Sequence, residues 1–212
     1  GYDVIAEFAD LLAGDEWETN ELVLLDVLAG LDPLAGPIVD IGAGTGAGLR
    51  AFDDAAPGMP IVAVEPSPAM RAALHARLHD SPALLARTTV LPSRFGDAAL
   101  PERAAAVIAI GVLGHLDDRE RAKLWHYLTS ALRPGAPAVI GVLEPSTPAT
   151  IPSIREGERR VGKHVVEGWS SADQLDGRTI AWTRRFRIAD AEGHTLRDAN
   201  ATVAWRCDGA DA

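Results

Sequence analysis

Hydrophobic residues near the start of the chain recur with helical spacing in two segments. In residues 2–13 the residues with this spacing are Val4, Ile5, Phe8, Leu11 and Leu12. In residues 18–31 they are the leucines at positions 22, 25 and 28. A spacing of three or four residues places apolar side chains on one face of an α-helix. The pattern predicts two amphipathic helices, which together form an N-terminal helical lid over residues 1–34.

Short apolar runs alternate with helical patterns through the middle of the chain. The predicted strands are residues 38–41, 61–64, 88–91, 106–110 and 138–143. Between the last two runs, Leu124, Tyr127 and Leu128 have helical spacing. Strands that are apolar on both faces and separated by helices predict a right-handed parallel sheet with helices on both sides.

The pattern changes again after Glu144. Residues 178–188 and 199–205 alternate between apolar and polar positions, and Asp-Gly and Glu-Gly pairs supply turn signals. Alternation with a period of two is typical of a strand with one buried face. Residues 163–206 are therefore predicted to form an antiparallel meander of about three strands.

The composition is that of an ordinary globular protein. Hydrophobic residues make up 47% and charged residues 24% of the 212 residues, and no apolar run approaches the roughly 18 residues that span a membrane. No signal-peptide pattern opens the chain. We therefore expect one cytoplasmic domain with an elaboration, and no membrane partner.

Negative charge is concentrated in the first part of the chain. Residues 1–150 carry 10 Lys and Arg against 20 Asp and Glu, whereas residues 151–212 carry 10 of each, so the first part accounts for the net charge of -10. This charge repels phosphates, and no basic run offsets it, so nucleic acid is not expected as a partner. The single Cys207 has no Cys or His at ligand spacing, and no metal is expected.

The strongest chemical signal follows the first predicted strand. Residues 40–46 read Asp-Ile-Gly-Ala-Gly-Thr-Gly, which places three glycines between a strand and a helix. Glycines let the backbone approach a ligand closely and expose the N–H groups of the following helix. Glu65, at the end of the second strand, has two acceptor oxygens that match the adjacent hydroxyls of a ribose. A nucleotide-like ligand is predicted.

Two classes of ligand fit the glycines. Gly42, Gly44 and Ala47 also satisfy the loose G-x-G-x-x-G/A pattern of NAD(P)- or flavin-dependent oxidoreductases. Asp40 argues against a dinucleotide, because a carboxylate two residues before the first glycine would repel a pyrophosphate. The same carboxylate would pair with the ammonium group of an amino acid. We therefore favour a ligand that joins an amino acid to a nucleoside.

The chain resembles the class I S-adenosylmethionine-dependent methyltransferases over residues 35–144. The resemblance rests on four segments in the family's order: residues 40–46, residues 64–70, the segment 111–117 after strand four, and Leu-Arg-Pro-Gly at 132–135. It implies S-adenosyl-L-methionine as cofactor. The implied contacts are Asp40, Gly42, Ala43, Gly44, Thr45 and Gly46 with the methionine part, Glu65 and its neighbour Pro66 at the ribose, Met70, Ser93, Arg94 and Phe95 at the adenine, and Gly111 and Val112 near the sulfur.

The fold implied by the resemblance is α/β, with a doubly wound Rossmann-like methyltransferase sheet of order 3-2-1-4-5. We expect the helical lid at residues 1–34, the cofactor-binding core at 35–145 and antiparallel strands at 146–212. A typical member closes its sheet with a helix and two antiparallel strands, and that helix is not evident here. Either the last strand runs join the main sheet or the meander is an insertion; we favour the insertion, with the closing hairpin missing.

The acceptor is interpreted as a small-molecule metabolite that is methylated on O or N. The segment after strand four lacks the Asn/Asp-Pro-Pro-aromatic motif that family members use on the amino groups of bases or on glutamine amides. His115, just past strand four, is the candidate general base, and a substrate hydrogen-bond donor or a helix-entry residue are its alternative roles. One alternative is a protein of this fold that binds the cofactor without methyl transfer. The oligomeric state stays open.

Overall fold

Two sheets organise the chain, one parallel and one antiparallel. The computed structural model describes residues 1–12, 14–142 and 144–207, and only the backbone of residues 14–16. The parallel unit comprises residues 15–141, and the antiparallel unit comprises residues 1–14 together with 142–212. The predicted lid segment is thus divided between the two units at Gly14. None of the described helices is long and apolar enough to cross a membrane.

The parallel unit contains the five predicted strands. They are β1 (Ile38–Ile41), β2 (Ile61–Val64), β3 (Thr88–Leu91), β4 (Ala106–Ala109) and β5 (Ala138–Ile140). All pairings are parallel, and the order is β3-β2-β1-β4-β5, which confirms the predicted fold class. Every residue of β1 and β4 is buried, because these central strands are covered on both faces. Leu143, at the end of the fifth predicted run, lies outside the described residues.

Helices cover both faces of this sheet. They are α1 (Gly14–Val27), α2 (Leu49–Ala55), α3 (Pro68–His79), α4 (Pro82–Arg87) and α5 (Asp118–Ala131). One apolar cluster joins α1, α2 and α3 to Ile38, and a second joins α5 to Val39. Neighbouring residues of a strand point to opposite faces, so β1 is packed from both sides. Helix α1 is the second predicted helix, displaced toward the N-terminus, and α4 is short and was not predicted.

Side-chain caps fix where two helices begin at the carboxyl edge of the sheet. Ser67 caps α3 as predicted, since its Oγ accepts the Met70 N–H at 3.2 Å. Asp117 and Glu120 form a reciprocal capping box at the start of α5. These caps set the entry of the chain into α3 after β2 and into α5 after β4.

Residues 2–12 do not form the predicted α-helix. They form two 3-10 helices, Tyr2–Val4 and Ala6–Phe8, and Ala13 lies outside the described residues. The apolar spacing instead serves the antiparallel sheet, because Phe8 is buried and its ring stacks on Phe186 with centroids 5.0 Å apart. Side chains three residues apart align in a 3-10 helix as well, so the spacing did not discriminate between the two helix types.

The antiparallel sheet has the three strands predicted within residues 163–206 and one further strand that precedes them. They are β6 (Ile151–Val161), β7 (His164–Gln174), β8 (Thr179–Ala189) and β9 (Thr195–Arg206), in the order β6-β7-β8-β9. This sheet is separate from the parallel one, so the idea that the last runs join the main sheet is wrong. The missed strand, β6, is an edge strand with mostly exposed residues on both faces, and it shows no alternation for a sequence pattern to detect.

Removing the Phe8 ring tests the packing of the N-terminal segment on the antiparallel sheet. Loss of a buried phenylalanine typically costs about 3–5 kcal/mol, so we expect Phe8→Ala to lower the free energy of unfolding by about 3 kcal/mol. Urea denaturation followed by tryptophan fluorescence measures it. The control is Leu22→Ala, whose side chain is 69% exposed and whose expected effect is below about 0.5 kcal/mol. Equal midpoints for the two variants would contradict this packing.

Candidate active site

The turn after β1 lies against the end of β2 at the carboxyl edge of the sheet. The backbone N–H groups of Gly42 and Ala43 donate to the Val64 carbonyl at 2.8 and 3.0 Å. Gly42, Gly44 and Gly46 have φ angles of +75°, +57° and +81°. Because L side chains rarely adopt this region, the three glycines are required by the shape of the turn.

The glycine turn also contacts the segment after β4. A Cβ atom at Gly42 would lie 2.4 Å from Cγ2 of Val112, so no larger residue fits there. Gly44 and Gly111 differ, since a Cβ at Gly44 would lie 3.9 Å from its nearest neighbour and one at Gly111 would have nothing within 4 Å. The backbone at these two positions therefore borders open space that a ligand can occupy.

Glu65 connects the loops that follow β1 and β2. Its Oε2 accepts the Gly44 N–H at 2.9 Å and its Oε1 accepts the Ser67 N–H at 2.7 Å. Its backbone carbonyl accepts a hydrogen bond from Nη1 of Arg71 at 2.8 Å. The residue is only 7% exposed. These contacts hold the carboxylate in one orientation beside the glycine turn.

Asp40 is a carboxylate buried in the central strand β1. It is 6% exposed, and no residue that the structure describes donates a hydrogen bond to it. Burial, and secondarily the negative charge of Glu65, raises the pKa of Asp40 to about 7. Isolated buried charges are costly, so a bound cation would supply the interaction that this carboxylate lacks.

The predicted adenine residues come from the ends of two neighbouring strands. Met70 is buried in the first turn of α3, after β2. Phe95 is buried in a 3-10 helix, Phe95–Asp97, after β3. Ser93 is half-buried, whereas Arg94 is exposed and pairs with Glu120 at 3.7 Å. Exposed residues of the predicted set also include Pro66.

The segment after β4 brings His115 to the same edge. Val112 is buried, and the chain then forms the 3-10 helix Leu113–His115. His115 is half-buried. Burial, and secondarily the positive charge of Arg94, lowers the pKa of His115 below its usual value. The imidazole is therefore neutral near pH 7 and able to accept a proton.

Three arginines that hold these loops were missed by the sequence analysis. Arg71 binds the Glu65 carbonyl, Arg77 donates from Nε to the Thr45 carbonyl at 3.0 Å, and Arg121 binds two carbonyls of the segment after β4. Arginines in amphipathic helices usually lie on the solvated face. No motif marks these three, so the signal was available only from the fold.

One group of possible metal ligands occurs among the described residues, and it lies in the β8–β9 turn. Asp190, Glu192 and His194 place ligand atoms within 4.8 Å of one another. Oδ1 of Asp190 already accepts the N–H groups of Glu192 and His194. These contacts account for the cluster as part of the turn.

The family comparison covers the parallel sheet and its loops. Residues 39–138 match the family described as "Methyltransferase domain". This range begins in β1 and ends at the start of β5, so it includes the glycine turn, Glu65 and His115. No sequence among the curated proteins matches the chain.

Three solved structures resemble the chain over nearly its whole length. CalS10 from Micromonospora echinaspora, an amino pentose methyltransferase with bound SAM, has a TM-score of 0.73 at 20% identity, covering 98% of this chain and 84% of that one. DesVI from Streptomyces venezuelae gives 0.73 at 19% identity, covering 99% and 84%. The sugar N-methyltransferase KedS8 from Streptoalloteichus sp gives 0.72 at 22% identity, covering 100% and 80%.

The structural likenesses establish the fold, and the family match adds the methyltransferase domain on which the candidate site is built. The dinucleotide-binding alternative finds no support in either comparison. Residues 39–138, which carry the motifs at the carboxyl edge, thus match a methyltransferase domain, and the fold of the chain is that of solved S-adenosylmethionine-dependent methyltransferases.

Proposed function

We propose that this enzyme methylates an amino group of a small, sugar-like acceptor, with the cofactor held at the carboxyl edge of β1, β2 and β4. The observation that carries the cofactor site is the buried Asp40 carboxylate, which receives no hydrogen bond from the described part of the chain and is close enough to Glu65 for the two charges to interact. Two neighbouring carboxylates disfavour a pyrophosphate and suit a ligand with an ammonium group and a ribose.

The residues present fit S-adenosylmethionine in their donor and acceptor chemistry. Asp40 is assigned to the ammonium group of the methionine part. A carboxylate offers about four acceptor positions, so Glu65 has the capacity to bind ribose hydroxyls in addition to the N–H groups of Gly44 and Ser67. We assign the adenine to the buried Met70 and the segment 93–95. Pro66, the residues of the glycine turn and two residues near the sulfur complete the proposed cofactor set: Gly42, Ala43, Gly44, Thr45, Gly46, Gly111 and Val112.

The proposed active site contains an apolar wall and one proton acceptor. S-Adenosylmethionine supplies an electrophilic methyl group on a sulfonium. Val112 and Leu113 are buried apolar residues after β4, and in this role they exclude water from the reacting atoms. His115 is neutral near pH 7 and is assigned to accept the proton that the amine loses.

The proposed acceptor is supported by two solved methyltransferase structures that resemble nearly the whole length of this chain. CalS10 and KedS8 are named for amino pentose and sugar N-methylation, and each covers at least 98% of this chain, including the antiparallel unit. The methyltransferase family match itself ends at residue 138.

Cofactor affinity is expected to depend on pH through Asp40. The folded-state pKa of about 7 means that the carboxyl is largely protonated at pH 6 and ionised at pH 8, and the ammonium group binds the ionised form. Affinity for S-adenosylhomocysteine should therefore fall about ten-fold from pH 8 to pH 6. Calorimetric titration measures it. The Asp40→Asn variant should bind S-adenosylhomocysteine more weakly, and its affinity should no longer depend on pH. The control variant Asp26→Asn, at an exposed position, should have the affinity and the pH dependence of the natural protein.

The effect of Asp40 on the stability of the fold should change with pH in the direction opposite to its effect on cofactor affinity. A raised pKa means that folding favours the protonated carboxyl, so this group lowers stability as pH rises from about 4 to about 7. Asp40→Asn should thus melt at the same or a higher temperature than the natural protein at pH 8. A lower melting temperature, with cofactor affinity unchanged, would show that Asp40 serves the fold.

Glu65→Gln tests the proposed ribose contact. The amide keeps the size of the side chain but loses one acceptor oxygen and the negative charge. A hydrogen bond to a charged group contributes about 1.5–3 kcal/mol, so affinity for S-adenosylhomocysteine should fall about 10- to 100-fold. The matched control is Glu102→Gln, at an exposed position before β4, which should bind normally. Equal affinity of both variants would remove Glu65 from the site.

A panel of paired acceptors tests the reaction itself. Each pair consists of an amino sugar and the same sugar with a hydroxyl at that carbon, incubated with S-adenosylmethionine. We expect S-adenosylhomocysteine release and a singly methylated product by mass spectrometry only with the amino member. Methylation of the hydroxyl member would overturn the choice of nitrogen, and binding without turnover on any pair would favour a cofactor-binding protein that transfers no methyl group.

A further inference from the structure

Arg121 is a buried cation beside the segment that carries His115. It lies in the second turn of α5 and is 9% exposed. Its Nη2 donates to the Leu113 carbonyl at 2.9 Å and its Nε donates to the Leu116 carbonyl at 3.2 Å. The two acceptors bracket His115 on either side, so one guanidinium contacts both ends of the segment 113–116.

This segment is a tight turn in its own right. The His115 N–H donates to the Val112 carbonyl at 2.8 Å, and the Leu116 N–H donates to the Leu113 carbonyl at 3.2 Å. The guanidinium is planar and its donors have fixed directions. Two hydrogen bonds from it therefore set the separation of the Leu113 and Leu116 carbonyls, and with them the backbone position of His115.

Helix stability does not explain an arginine at this position. A positive charge near a helix N-terminus opposes the helix dipole, and burying a charge is costly unless it is well hydrogen-bonded. The start of α5 is already fixed by the capping box of Asp117 and Glu120. The position of Arg121 is thus unfavourable both for the helix dipole and for the burial of a charge. Its side chain instead binds the segment 113–116 that precedes the helix.

We propose that Arg121 is a positioning residue of this methyltransferase, which fixes the segment 113–116 and thereby the place of the His115 imidazole relative to the acceptor. The inference rests on the proposed function, in which His115 accepts the proton of the amine.

Two variants of Arg121 and one control test the proposal by kinetics. Arg121→Leu removes both hydrogen bonds. Arg121→Lys keeps the positive charge but replaces the planar guanidinium, with its donors in fixed directions, by an ammonium group. A displacement of about 1 Å near the reacting atoms can cost about 10²-fold in rate, so Arg121→Leu should lower kcat about 10²-fold on the best amino sugar of the panel. The KM for S-adenosylmethionine and the Kd for S-adenosylhomocysteine should stay within about two-fold, because the two carbonyls that Arg121 binds, those of Leu113 and Leu116, lie outside the proposed cofactor set.

The lysine variant and a surface arginine separate positioning from charge. Arg121→Lys should recover part of the lost kcat, because an ammonium group can still reach one carbonyl. The control, Arg119→Leu, is at an exposed position of the same helix and should show unchanged kcat. Melting temperatures of all three variants establish that the parallel unit is folded under the assay conditions.

Nuclear magnetic resonance of the histidine rings provides a readout that needs no acceptor. The chain has 6 histidines, and His115→Gln assigns the signal of interest. Burial lowers the pKa of His115, with the positive charge of Arg94 as the next cause. The charged groups at the start of α5 are the acidic Asp117, Asp118 and Glu120 and the basic Arg119 and Arg121. Loosening of the segment exposes the ring and raises the His115 pKa, and so does loss of a nearby positive charge. Arg121→Lys keeps the charge, so we expect the His115 pKa to rise in both Arg121 variants and to stay unchanged in Arg119→Leu.

The outcomes distinguish this inference from the function it rests on. A folded Arg121→Leu protein with normal kcat and an unchanged His115 titration would overturn the positioning role. Loss of S-adenosylhomocysteine binding in both Arg121 variants would also overturn it, since the residue would then serve the fold. If the natural protein transfers no methyl group, the proposed function fails, and the ring titration alone decides whether Arg121 fixes His115.

Discussion

The hydrogen bonds of the Glu65 carboxylate are the interaction on which the candidate active site depends. One oxygen accepts the Gly44 N–H and the other accepts the Ser67 N–H, so a single side chain fixes the loops after β1 and β2 at a common point. Gly44 can present its N–H there because its φ of +57° is open to glycine. The cap of α3 starts from the same place, since Ser67 also accepts the Met70 N–H.

The site retains groups that oppose folding. Asp40 is buried in a central strand, and its raised pKa records how strongly its surroundings disfavour the ionised form. Arg121 is a buried cation near a helix N-terminus. Residues placed against local preferences are expected where a protein binds or reacts. In this chain both groups occur at the carboxyl edge, in or next to loops that the remaining packing holds in place.

The sequence predicted those elements whose signal is local. The strand of residues 38–41 is apolar and closed by glycines, and Ser67 followed by Pro68 is a strong helix start, so both were placed correctly. The strand β6 was missed because its side chains are exposed on both faces and leave no alternation. The 3-10 helices were missed because apolar spacing near Phe8 is the same for both helix types.

Contacts between residues that are distant in the sequence were not predicted from the sequence pattern. The glycine motif indicated a ligand, and the resemblance to a known family assigned roles along residues 35–144. Neither indicated that Arg77 would hold the Thr45 carbonyl or that Val112 would lie against Gly42. Such contacts depend on which loops the sheet order brings together, and a motif describes each loop separately.

The division of the antiparallel unit in the sequence has a consequence for biosynthesis. Glu7 and Arg197 form an ion pair across 190 positions, whereas the parallel unit is continuous from residue 15 to residue 141. During translation the parallel unit can fold as soon as it leaves the ribosome, while the first residues of the chain wait, with Ile5 and Phe8 unburied, until β7, β8 and β9 have been made. Closing such distant contacts is slow, so Ile5 and Phe8 stay exposed to solvent at least until β9 has been synthesised.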